Sequence, residues 1–332
     1  MNPPFSIPGI LSANIKNPAE FEQYALALFN YQYQNIAVYK QYCDQVLPYS
    51  YKQVDSILKI PFIPVSLFKT HKILAPHIST YQTFSSSSTG GSGPSYHHMP
   101  NLQDYLSLCT HCFENFLGDP GRYCHIALLP SYLERSGSSL VSMVWHFIEH
   151  GLAGGGFYLH NTSALIEQLN KLQSSGTPTV LWGVSFALWD LCEQSGPHQF
   201  SQLRVIETGG MKGRRREITR QELHTLIRKG LGCHTIHSEY GMTEMSSQCY
   251  SLEQGLFSCP QHVKVLFREA DDPLSNALTG KNGCLNVIDL GNIYSCAFLG
   301  LSDLGNVYAD GSFEVLGRLD YSDIRGCNLM VQ

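Results

Sequence analysis

Apolar residues recur at helical spacing through 17–47, where Phe21, Tyr24, Leu28, Tyr31, Val38 and Tyr42 fall on one face. Asn17-Pro18 with Glu20 marks the start, because Pro is tolerated in a first helical turn. The stretch IPFIPVSLFK at 60–69 carries two prolines and is expected to run extended. Pro100-Asn101 opens another helix, which runs to about Leu117 and ends in the glycines at 118–121.

Beyond that the pattern alternates. Short apolar runs at 125–130, 156–159, 180–182, 203–207 and 235–238 read as strands. Helical patterns at 138–150, 162–173, 185–193 and 220–229 separate them. Strands spaced by helices of this length predict βαβ units and a mostly parallel sheet. From about Leu256 short β-rich stretches punctuated by Gly, Asn and Asp take over, which suggests a β subdomain such as a small barrel.

Composition narrows the function classes. The chain has 332 residues, 43% of them hydrophobic and 15% charged, so a disordered or coiled-coil protein is excluded. Lys plus Arg is 22 against 27 for Asp plus Glu, a net charge of −5 that supplies no basic surface for nucleic acid or anionic membrane. The 11 cysteines are an odd number scattered along a long chain, unlike a disulfide framework. The N-terminus lacks the pattern of a secretory signal, and no apolar run reaches membrane-spanning length, so a cytoplasmic protein with reduced thiols is expected.

Four segments can carry chemistry. FSSSSTGGSGP at 84–94 is either a flexible linker or a nest whose amides and hydroxyls converge on phosphate oxygens. IETGGMKGRRR at 206–216 puts two glycines after an apolar strand, where a flat group can lie against backbone and Lys212 can meet negative charge. IHSEYGMTEM at 236–245 runs a strand into a glycine turn, at the strand end where open α/β sheets bind ligands. Glu244 there is an oxygen donor of the kind Mg²⁺ prefers. LGRLDYSDIRGCNLM at 316–330 reads as a loop or hinge between short strands. The CTHC run at 109–112 is a weak zinc signal and fits core packing better. The aromatic set Trp145, Phe147, Trp182, Phe186 and Trp189 can line an acyl tunnel or fill the core, and core is the better fit.

Together these segments resemble the adenylate-forming superfamily, in which ATP activates a carboxylic acid. Ser86, Ser87, Ser88, Thr89, Gly90 and Gly91 resemble its phosphate loop. Thr208, Gly209, Gly210 and Met211 resemble its adenine-contacting segment. Tyr240, Gly241, Met242, Thr243 and Glu244 resemble its Tyr-Gly-x-Thr-Glu signature, and Asp303 falls where the ribose-binding Asp does. Arg318, in Gly317-Arg-Leu-Asp320, resembles the hinge. Within the superfamily the stretches IPFIPVSLFK, LPSYLERSGSSLVSM, ETGGMKGRRREITRQELH, IHSEYGMTEMSSQ and EVLGRLDYSDIRGCN are similar to long-chain acyl-protein synthetases, the ligase component of bacterial light-emitting systems.

The resemblance implies an AMP-forming ligase with ATP and Mg²⁺ as cofactors and a fatty acid as substrate. It implies an α/β large domain over 1–255, a β-rich subdomain over 256–316, and a hinge-like tail over 317–332 carrying Cys327, with the small mobile C-terminal domain absent. The acyl group would pass from AMP to Cys327 and on to a partner acyl reductase. The alternatives are delivery to coenzyme A or a carrier-protein phosphopantetheine, or a non-catalytic nucleotide- or acyl-binding subunit. Two departures stand out. Ser88 and Gly90 depart from the usual loop, and the lysine that assists adenylation elsewhere has no counterpart, so Lys69 or Lys212 is left to supply the cation.

Overall fold

Side chains set most of the helix starts. The structure is a computed structural model and describes every residue except 1, 16, 87–92, 130–136, 160, 210–214, 217, 273 and 320–332. Ser6 caps α1 (Ile7–Ser12), and Asn17 accepts from the Glu20 amide at the start of α2 (Pro18–Asn35). α3 (Ala37–Val46) follows, so the periodic stretch at 17–47 is two helices. Ile36 is extended, at φ −106° and ψ 101°. The break is a tertiary choice: it sets Tyr39 edge-on to Phe29 and lets the Tyr39 hydroxyl reach the Pro61 carbonyl at 2.7 Å. β1 (Ile63–Pro64) is extended as expected, but 3₁₀ turns follow it over Val65–Lys69.

β2 (Gln82–Ser85) and β3 (Tyr96–Met99) form an antiparallel hairpin. Asn101 then caps α4 (Leu102–Leu117), and Gly118, at φ +83°, ends it. The alternation that follows is β4 (Cys124–Leu128), α5 (Ser139–His150), β5 (Gly156–Phe157), α6 (Thr162–Ser174), β6 (Thr179–Gly183), α7 (Ser185–Ser195), β7 (Arg204–Glu207), α8 (Arg220–Leu231) and β8 (Thr235–Tyr240). A reciprocal Thr219–Glu222 capping box starts α8. The antiparallel strands are β9 (Cys249–Ser251), β10 (Leu256–Ser258), β11 (Val263–Arg268), β12 (Gly280–Asp289), β13 (Phe298–Val307) and β14 (Phe313–Arg318).

The chain groups into two compact bodies, 1–78 with 261–332, and 79–260. In the first, β11-β12-β13-β14 form an antiparallel meander, with β1 parallel to β13. Among the described strands this order does not close on itself. Phe298 anchors α2, α3 and the 60–64 segment through ring contacts with Phe29, Tyr39 and Phe62. Buried Gln32 satisfies both ends of its amide, donating to the Asn292 and Ile293 carbonyls and accepting from the Ala297 amide. Gly283 is required by close approach, since a Cβ there would sit 2.4 Å from the Phe267 ring.

The second body carries a sheet ordered β10-β9-β8-β7-β6-β4-β5, parallel from β5 to β8. Trp182 is fully buried and touches Phe113 and Phe147. Its indole N–H donates to His125 Nδ1 at 3.1 Å, and His125 Nε2–H donates to the Pro120 carbonyl at 2.9 Å. Cys109 and Cys112 are fully buried in this core. Phe147, Phe186 and Trp189 are buried too, but Trp145 is 50% exposed and stacks on Phe157, so it leaves the expected core set.

Candidate active site

The Ser/Gly run joins the paired strands β2 and β3. Its ends are tied: the Ser86 amide donates to the Ser95 carbonyl at 3.0 Å, and the Ser95 amide to Ser86 Oγ at 2.8 Å. The Ser85 amide also donates to the Gly137 carbonyl. Of the expected loop residues, Ser86 lies on this neck; Ser87, Ser88, Thr89, Gly90 and Gly91 lie outside the described residues. One strand of the hairpin bonds directly to the Tyr-Gly-x-Thr-Glu segment. His97 is buried, and its ring Nδ1 lies 2.7 Å from the Thr243 carbonyl. A carbonyl only accepts, so Nδ1 carries the proton.

β7 ends in Glu207, which is buried and organises the turn after it. Its Oε1 accepts from the Gly209 amide at 2.7 Å and from the Ser185 hydroxyl at 2.5 Å. Arg220 Nε lies 3.5 Å from Oε2. The Thr208 amide donates to Gly183 at the end of β6, and Gly209 takes φ +74°. A buried carboxylate thus fixes the backbone at Thr208-Gly209, a turn in the left-handed region that suits Gly. Gly210, Met211 and Lys212 lie outside the described residues.

β8 lies beside β7 and delivers the third segment. Tyr240 is buried against Phe257, and Gly241, Met242 and Thr243 form the turn. The Met245 amide donates to the Met242 carbonyl at 3.1 Å. Glu244 is only 7% exposed, a buried carboxylate with the oxygen chemistry a hard divalent cation takes. Just before the signature, burial and the nearby Glu207 push the Glu239 carboxyl up to about 8. Among the described residues no cluster of three or more metal-ligating side chains occurs.

The remaining expected residues lie on the other body. Asp303 on β13 pairs with Arg318 on β14, with Nε 3.9 Å from Oδ1. Arg318 is 70% exposed, so the contact itself contributes little stability. Arg268 supports this strand from inside: it is buried, bonds to Asn286 Oδ1, and donates to the Leu301 carbonyl at 2.7 Å, two residues before Asp303. Lys69 ends the 3₁₀ turn after β1. Cys327 lies outside the described residues.

Sequence reasoning did not find Glu207, His97 or Arg268. Glu207 could have been suspected as a charged residue ending an apolar strand; His97 and Arg268 gave no signal, because their partners lie far along the chain. Changing His97 to Ala is expected to cost about 1–3 kcal/mol by leaving the Thr243 carbonyl unpaired. Denaturant melts measure that loss, and hydrogen exchange at 240–246 should quicken. Unchanged exchange there would remove His97 from the support of this segment.

No protein-family model matches the chain, and no curated protein sequence does. Solved structures do. A 2-hydroxyisobutyryl-CoA ligase, in an open conformation with 2-HIB-AMP and CoA, superposes with a TM-score of 0.67 at 13% identity over 91% of this chain and 70% of its own. ATP-bound MatB from Rhodopseudomonas palustris gives 0.55 at 14% identity, over 73% and 48%. The O-succinylbenzoate coenzyme A synthetase MenE from Bacillus subtilis, with ATP and magnesium ion, gives 0.52 at 17% identity, over 75% and 52%. The chain therefore has the fold of these ligases, a mixed α/β sheet flanked by helices.

Proposed function

We propose that the protein is an AMP-forming ligase that activates a fatty acid as an acyl-adenylate and passes the acyl group to its own Cys327. The observation that supports this most is the His97–Thr243 bond, which ties the Ser/Gly hairpin to the Tyr240–Glu244 segment at the carboxyl end of β8. A phosphate nest and an acidic cation ligand held together suit a nucleotide triphosphate.

In this reading the loop amides and hydroxyls hold the phosphates. Glu207 fixes the Thr208-Gly209 turn so that adenine lies flat against it. Asp303 takes the ribose hydroxyls, with Arg318 beside it, and Lys69 or Lys212 supplies the missing cation. Glu244 holds Mg²⁺, which neutralises phosphate charge when bound. A substrate carboxylate oxygen attacks the α-phosphorus while the bond to pyrophosphate breaks. The Cys327 thiolate, its proton released to solvent, then attacks the acyl carbon; the bond to AMP breaks and a thioester remains. A partner acyl reductase would consume that thioester.

Incubation with ATP, Mg²⁺ and fatty acid is expected to release pyrophosphate and leave a hydroxylamine-sensitive acyl group on the chain. Changing Cys327 to Ser should abolish the chain-bound thioester, with pyrophosphate release reduced less than about tenfold. The second reading, transfer to coenzyme A, is favoured by the CoA bound in solved structures of 2-hydroxyisobutyryl-CoA ligase. Acyl-CoA formation that survives in the Ser variant would select it. Absence of pyrophosphate release with every acid would leave a binding subunit.

A further inference from the structure

We propose that the sheet face carrying Thr208, Glu239, Gln248 and Tyr250 seats a hydroxyl group on the acyl substrate, so that the preferred acid is a hydroxylated one. The claim that this acid is turned over rests on the adenylation reading; the claim that it is bound does not.

Strand register brings the four residues together. Glu207 pairs with Ser238, so Thr208 falls beside Glu239 on the next step of the parallel pair. Glu239 pairs with Tyr250 across β8 and β9. Directly opposite residues point to the same face, with Cβ atoms about 5 Å apart. Continuing that register sets Gln248 opposite Gly241. Close packing agrees: a Cβ on Gly241 would meet Glu239 Oε1 at 2.5 Å and Gln248 Cγ at 3.4 Å. Glu239 thus folds over Gly241 toward Gln248, into space that only Gly leaves open.

Three polar atoms of this set have no hydrogen-bond partner among the described residues, although the Gln248 side chain also bonds Cys109. Tyr250 is fully buried and Gln248 is 4% exposed, yet among the described residues the Tyr250 hydroxyl and Gln248 Oε1 make no hydrogen bond, nor does the buried Thr208 Oγ1. Buried polar atoms are normally satisfied, and each one left over asks for a ligand or a cost. The walls facing them from α4 are Tyr105, whose hydroxyl is used on the Ser139 carbonyl, with Cys109 and Cys112. Arg220, the cation beside Glu207, is engaged with that carboxylate, which points to the other face.

The chemistry of the set selects the ligand. Tyr250 donates, Gln248 Oε1 accepts, and Thr208 does either. Burial keeps the Glu239 carboxyl protonated through neutral pH, which makes it a donor as well. A hydroxyl both donates and accepts and matches that mixture. An ammonium has donors only and would leave the Tyr250 proton without an acceptor. Position places the ligand as well: Thr208 immediately precedes Gly209, and Glu239 immediately precedes Tyr240. A molecule held at those two turns meets this face next, beyond the carboxyl ends of β7 and β8.

The test is calorimetric binding of the full chain to a straight-chain acid series in which a hydroxyl moves one carbon at a time, each isomer against its unhydroxylated parent. An amino-acid series of matching lengths runs alongside. One hydroxy isomer is expected to bind about 10- to 100-fold tighter than its parent. That preference should vanish in Tyr250→Phe and Glu239→Leu. Tyr250→Phe removes an unpartnered hydroxyl and is expected to melt no lower than wild type, so a preference lost in it cannot be laid to unfolding. Equal binding of isomers and parents, tighter binding of an amino acid, or no binding at all overturns the proposal. So does a lower melt of Tyr250→Phe without any ligand preference, which would leave only a buried water site. Preference without pyrophosphate release would sink the adenylation reading alone.

Discussion

Replacing Glu244 with Gln is expected to cut ATP-dependent pyrophosphate release about 100-fold or more, with a raised Mg²⁺ requirement. The substitution keeps the volume and one oxygen but removes the charge. Mg²⁺ is a hard cation that keeps its waters and binds through few carboxylates, so each protein carboxylate matters. Even groups that only orient a metal ligand are worth about 10- to 100-fold, which sets a floor for a direct one. Glu244 is buried, at 7% exposure, so water would not readily replace its carboxylate if it holds the cation. The backbone at 243 is held separately by His97, so the turn should survive. Pyrophosphate release measured across a Mg²⁺ titration decides the matter. A variant that reaches the wild-type rate at ordinary Mg²⁺ would exclude Glu244 as the cation ligand.

Trp182 changed to Ala is expected to lose about 3–5 kcal/mol of stability, read from urea unfolding. The residue is fully buried, contacts Phe113 and Phe147, and supplies the N–H that His125 Nδ1 accepts. Removal leaves a cavity and an unpaired ring nitrogen. The same pair makes the wild-type fold sensitive to acid. Burial lowers the His125 pKa to about 4, and the contact with the Pro120 carbonyl opposes this only in part. His125 is therefore neutral when folded and takes a proton near pH 6.5 when unfolded. Its contribution is fully present above about pH 6.5 and is lost as pH falls toward about 4, roughly 3 kcal/mol in all. A loss of under about 1 kcal/mol for Trp182→Ala would show that the core refills the space.

The α/β alternation was legible because each βαβ unit writes its own periodicity. The strands expected at 180–182 and 203–207 are β6 and β7, and Thr219 with Glu222 marks α8 through local bonds. The break at Ile36 was not legible. No Gly or Pro stands there, and the reason is the packing of Tyr39 against Phe29 and Phe298. Trp145 misled for a similar cause: an aromatic at helical spacing is core only if something covers that face of α5, and half of it stays in solvent.

The Ser/Gly run shows the division most clearly. Its composition permitted a linker or a nest equally, since both need small residues with little backbone restriction. The structure adds the pairing of β2 with β3 on either side of the run and the bond from one of those strands to Thr243. Sequence alone determined which residue types were available: the glycines, the carboxylates at Glu239 and Glu244, and the order of the motifs. Only the tertiary structure decided which of them meet. Glu239, Gln248 and Tyr250 share a face because two antiparallel strands set the register, a pairing fixed by burial across the whole sheet and written in no local pattern.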